Sequence, residues 1–80
     1  MNIASIRQLA DTFTKEQLQQ AEASLLQEEP MPIDVPGVDE GEKLTHLIAA
    51  LWVLEHKVSH DVDTMTAVRE YTKRVRESIS

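Results

Sequence analysis

Histidine carries the clearest chemical potential in this chain. Two of its three histidines, His56 and His60, stand four positions apart. On a helix that spacing puts both imidazoles on one face, where they could hold a divalent metal. Two ligands do not complete a site, and the nearby carboxylates Glu55 and Asp61 point differently or fall in a turn. A di-iron bundle needs Glu-x-x-His on each of two helices. The residues three before His46, His56 and His60 are Lys43, Val53 and Lys57, so that signature is absent. His56 and His60 stand as metal candidates beside a plainer reading: solvated imidazoles favoured by the C-terminal end of a helix dipole. No cofactor is implied.

Nucleophilic catalysis requires a hydroxyl or thiol beside a positioned base. Ser59 adjoins His60, but sequential neighbours on a helix do not face each other. The chain has no cysteine, which removes disulfides, zinc-thiolate sites and thiol chemistry. Its two glycines cannot build a phosphate loop, a dinucleotide fingerprint or a nucleophile elbow. Asp34-Val-Pro-Gly-Val-Asp-Glu fails as a calcium loop, because Pro36 and Val38 occupy ligand positions. No catalytic residue emerges, and the expectation is a protein that is not an enzyme.

Arg69, Lys73 and Arg76 share one helical face, which locally resembles a nucleic-acid-binding helix. Glu70 and Glu77 interleave with them, and the chain carries a net charge of -6. A phosphate backbone would be repelled overall. The expectation is an exposed, salt-bridged face and no nucleic-acid partner. The acidic front half could steer the protein toward basic partners.

These groups must be held by helices. Ile3, Ile6, Ala10 and Phe13 recur at helical spacing, with Asn2 as an N-cap, and predict a helix over 3–12. Thr14-Lys-Glu-Gln17 has the form of a capping box and opens a second helix carrying Leu18, Ala21, Leu25 and Leu26. Pro30 restricts Glu29 and stops that helix, giving 15–29. Asp39 and Glu42 imitate a second capping box. Beyond them Leu44, Leu47, Leu51, Leu54 and Val58 form a heptad seam in a helix over 41–59. Asp63 caps a fourth helix over 63–79, with Met65, Val68, Thr72, Val75 and Ile79 at the same spacing. The last two helices, joined by a short turn, predict a long antiparallel hairpin covered by the first two. The fold expected over 1–80 is a single all-α domain: a small four-helix bundle with two short N-terminal helices, an extended Pro-rich strap and the hairpin.

The strap, 30–40, holds all three prolines. Flexible linkers are rich in Gly and Ser. Here Met31, Ile33 and Val35 stand two apart in a chain that proline keeps extended, so they fall on one side. The stretch is predicted to be an ordered strap packed on its own helices or on a partner subunit. If exposed, it would be the leading partner-binding strip. Met31, Ile33, Val35 and the off-seam Trp52 are the partner-binding candidates, with Trp52 read as packing within the protein or between subunits ahead of a ligand platform.

The blocks NIASIRQLA, PIDVPGVDEGEKLTHLIAALW and YTKRVRESI span the chain. On them it resembles a family of short, about 80-residue bacterial proteins of unknown function. The resemblance implies at most an accessory role near thiol-redox enzymes, without disulfide exchange by the chain itself. There is no signal-peptide pattern and no apolar run approaching the roughly 20 residues that span a bilayer, so a cytoplasmic protein without a membrane partner is expected. The surplus of apolar residues points to a protein-protein interaction module, a homodimer that also binds another protein. The alternative is a metal- or ligand-binding regulatory domain built on His56, His60 and acidic residues.

Overall fold

A computed structural model describes residues 2–79, with side chains to residue 77. The described residues form four helices: α1 (Ile3–Thr12), α2 (Lys15–Leu26), α3 (Glu40–His60) and α4 (Thr64–Ile79). No strand occurs among them. The result is the small all-α bundle expected.

Each helix start is fixed by a local side chain. Asn2 Oδ1 accepts from the Ala4 N–H at 2.9 Å. Thr14 and Gln17 close a reciprocal capping box, at 3.2 Å from the Gln17 N–H to the Thr14 hydroxyl and 2.8 Å from the Thr14 N–H to Gln17 Oε1. Asp39 accepts from Glu42 N–H at 2.7 Å, and Asp63 from Thr66 N–H at 2.8 Å. These short polar side chains satisfy backbone donors that the first turn leaves without partners.

The end of α2 departs from expectation. The helix stops at Leu26, not at Glu29. Glu28 turns into the left-handed region at φ 57. Its N–H reaches Leu25 C=O at 3.2 Å, and the Glu29 N–H reaches Ser24 C=O at 2.8 Å. This is a Schellman ending built on a glutamate where glycine is usual. Pro30 excludes the helical region for the residue before it, so reversal begins one step earlier and Glu28 bears the strain. α3 ends similarly on Asp61, φ 51, with the Val62 N–H reaching Lys57 C=O at 3.2 Å. Aspartate tolerates this conformation better than glutamate.

The central helix is α3, which packs against α1, α2 and α4, while α4 also packs against α1. Its most buried stripe is not the leucine seam. His46, Ala49, Ala50 and Val53 are fully buried. The alanines let α1 approach closely, and Ile6, Leu9 and Ala10 lie over them. The leucine seam runs along one flank of that stripe, where Leu47 and Leu51 meet Leu18, Ala21 and Leu25 of α2. Trp52 lies on the other flank, packed with Ala67, Val68 and Tyr71 of α4. Three neighbours around one helix widen its apolar face beyond a two-position heptad seam. The α4 seam is likewise only partly covered: Val68 is buried, Thr72 and Val75 are half-buried, and Met65 is exposed. The Ile79 side chain, also assigned to that seam, lies outside the described residues.

The strap packs in cis. Val35 is buried, and Met31 and Ile33 lie half-buried against the same cluster as Leu9, Leu18 and Leu47. Pro32 and Asp34, between them, face solvent. The period-two alternation is therefore realised. At Gly37, φ is +152, and an added Cβ would stand 2.8 Å from Lys43 Cγ and 3.0 Å from Lys43 N. Glycine is needed there on both counts: the backbone conformation and the close crossing over the start of α3.

Candidate functional site

His46 joins three segments. Its ring is fully buried. Nε2 lies 3.1 Å from the backbone N–H of Asn2, and Nδ1 lies 2.7 Å from the carbonyl of Pro36. Both contacts are satisfied by the neutral ring with its proton on Nδ1: Nδ1–H donates to Pro36, and the Nε2 lone pair accepts from Asn2. One imidazole therefore ties the start of α1 and the strap to α3. A structural histidine of this kind was not foreseen, although its register with Ala49, Ala50 and Val53 marks it as facing the core.

The other two histidines stack. The His56 and His60 rings lie 3.9 Å apart, 19° from parallel. His56 stacks in turn on Trp52 at 4.6 Å and 13°. Tyr71 of α4 tilts against Trp52 at 5.5 Å, and the Arg74 guanidinium lies 5.5 Å from the indole centroid. The column joins α3 to α4 through offset stacking and a cation–π contact. Face-to-face imidazoles do not converge their nitrogens on a common point, and no group of three or more His, Cys, Asp or Glu residues able to hold a metal occurs among the described residues.

Ser59 and His60 do touch, contrary to expectation, with Oγ 3.0 Å from Nδ1. The Ser59 hydroxyl, however, donates to the Glu55 carbonyl at 2.9 Å. With its one proton directed there, Ser59 faces His60 as an acceptor. That is the reverse of the polarity by which a base activates a nucleophile.

Two of the open grooves expose apolar side chains of the helices. The first lies where the leucine seam outruns its cover. Leu54 is half-buried, Val58 is 85% exposed, and Thr14 and Lys15 form the opposite wall of a groove of about 590 Å³. Lys15 and Glu55 pair across it at 3.1 Å. The second runs between α1 and α4 as two adjoining depressions of about 430 and 450 Å³, which share Ile3, Met65 and Val68. Arg7, Arg69, Lys73 and Arg76 line its walls. The face expected to be salt-bridged is exposed, but Arg69, Lys73 and Arg76 make no ion pair among the described residues.

The description "Family of unknown function (DUF6952)" matches residues 1–80, the whole chain. The chain belongs to that family. Neither the search of curated proteins nor the search of solved structures returned a match. Of the partner-binding candidates, Met31, Ile33 and Val35 line the chain's own core, and Trp52 is half-buried within the stacked column. The exposed large apolar side chains lie elsewhere: Leu26 at the end of α2, Ile48 and Val58 on α3, Val38 at the end of the strap, and Ile3 and Met65 in the α1–α4 groove. No helix among the described residues is long and apolar enough to cross a membrane.

Proposed function

We propose that this chain is a protein-interaction module that pairs with a second copy of itself through the open end of the α3 leucine seam. The observation that carries this reading is Val58. It continues a seam that is buried at Leu47 and half-buried at Leu51 and Leu54, yet it is 85% exposed beside an apolar groove. An apolar side chain left beside a groove it does not fill suits a knob for the same groove on a partner. The rim favours a second copy. Lys15 and Glu55 carry opposite charges, and two-fold pairing would place each Lys15 near a Glu55 of the other copy.

Sedimentation velocity over a range of protein concentrations tests this reading. The wild type is expected to pass from monomer to dimer, and Val58→Glu to stay monomeric with unchanged helical circular dichroism. A wild type that is monomeric throughout, or a Val58→Glu dimer, would overturn it.

A further inference from the structure

Half of the basic residues in this chain line one groove. Of eight lysines and arginines, Arg7, Arg69, Lys73 and Arg76 stand along the α1–α4 depression, although the whole chain carries a net charge of -6. Among the described residues lining it, Asp11 carries the one carboxylate. That side chain is already engaged, accepting from the Thr64 hydroxyl at 2.7 Å and lying 3.7 Å from Arg7. The floor is apolar: Ile3 is 41% and Met65 37% exposed, with Val68 beneath them. We propose that this groove receives an acidic amphipathic helix of another protein, its apolar stripe on Ile3, Met65 and Val68 and its carboxylates facing the four cations.

The chemistry selects this occupant over two others. A nucleic-acid backbone would meet the cations but has no apolar stripe for the floor, and the rest of the chain would repel it. A second copy placed on a two-fold axis here would set Arg69, Lys73 and Arg76 against their own counterparts, and like charges in contact oppose association. An amphipathic helix with apolar residues at i, i+3 or i+4 and i+7, flanked by Glu or Asp, satisfies floor and walls together. The inference is separate from pairing at Val58, because the two grooves share no lining residue.

The test uses the full chain and a labelled synthetic helix of about 14 residues, roughly 21 Å long, with leucines on one face and glutamates flanking them. A control replaces every glutamate with lysine, and a DNA duplex serves as a third probe. Fluorescence anisotropy is expected to show saturable binding of the acidic helix alone, with amide shifts gathered on Ile3, Arg7, Met65 and Arg69. Arg69→Glu/Lys73→Glu should weaken that binding roughly tenfold or more, because two attractive contacts become repulsive. Val58→Glu should leave it unchanged. Absence of binding by the acidic helix, equal binding by the lysine control, tighter binding of the duplex, or shifts gathered at Val58 instead of α4 would each overturn the proposal.

Discussion

The two flanks of α3 are finished differently. On one, α2 and the strap together cover most of the leucine seam, and the buried His46 ring fastens the strap and the start of α1 with two hydrogen bonds. On the other, α4 covers Trp52 with Ala67, Val68 and Tyr71 but leaves its own outer groove to solvent. The strap flank commits Met31, Ile33, Val35 and the leucine seam as far as Leu51 to the chain itself, leaving Val58 open at its end. The α4 flank keeps Ile3 and Met65 open and lines them with cations, of which Arg7 is ion-paired, to Asp11 at 3.7 Å, while Arg69, Lys73 and Arg76 form no ion pair among the described residues. The difference separates what holds the fold from what is available to another molecule. Residues that look equally apolar in sequence, such as Val35 and Val58, end on opposite sides of that division at 4% and 85% exposure.

The sharpest way to break this contrast is at His46. Replacing it with leucine takes away the partner of the Asn2 N–H and of the Pro36 carbonyl, both in partly buried surroundings, at about 1–2 kcal/mol each. A total loss of about 2–4 kcal/mol is a large share of the roughly 3–5 kcal/mol expected of a core this small. Urea denaturation should show His46→Leu with a much lower midpoint than wild type; a wild-type midpoint would dismiss the fastening role. Next in size is the strap. Ile33→Ser/Val35→Ser should cost about 2–4 kcal/mol and lower the melting temperature. Val38→Ser, three positions past Val35 but 88% exposed, should stay within about 0.5 kcal/mol of wild type. Equal effects from the two strap variants would mean that the strap is not packed as described.

Smaller effects sharpen the picture at the helix ends. Glu28→Gly should stabilise the protein by about 0.5–1 kcal/mol, because glycine occupies the left-handed position without the Cβ penalty. A loss of stability there would show that the Glu28 side chain is needed. The smallest effect is at the cap of α4. The Asp63 carboxyl is held below its ordinary 3.8, first by the Thr66 hydroxyl, then by the Thr66 N–H, with smaller help from Arg69 and Lys57. A lowered folded-state value stabilises the fold above pH 3.8, and that contribution disappears as pH falls from 3.8 through the folded value. Stability measured across that window should therefore fall more steeply in the wild type than in Asp63→Asn. Parallel curves would remove Asp63 from the acid response.

Much of the fold was legible because its signals are local. Asn2, Thr14-Gln17, Asp39 and Asp63 mark helix starts through side chains that reach backbone donors two or three residues away. The alternation of Met31, Ile33 and Val35 predicted the strap's packed side for the same reason, since strand-like backbone fixes where successive side chains point. The early end of α2 was harder to read, because a left-handed glutamate carries no compositional mark as glycine does. The stacked histidines were placed on one face correctly, but spacing cannot distinguish converging nitrogens from parallel rings; Trp52 decided that by extending the stack.

By itself, then, the sequence determined four helices, their caps, the side of the strap that packs, and the absence of any cysteine chemistry. Each depends on contacts within a few residues or on composition. Only the tertiary structure decided that the alanine stripe, not the leucine seam, forms the centre of α3's buried face, that His46 is a fastener, and that Val58 and the α1–α4 groove remain uncovered. Those outcomes depend on which neighbour lies on which flank. In a chain whose helices all carry more apolar surface than one partner can cover, periodicity identifies the sticky faces but not which of them the fold itself will close.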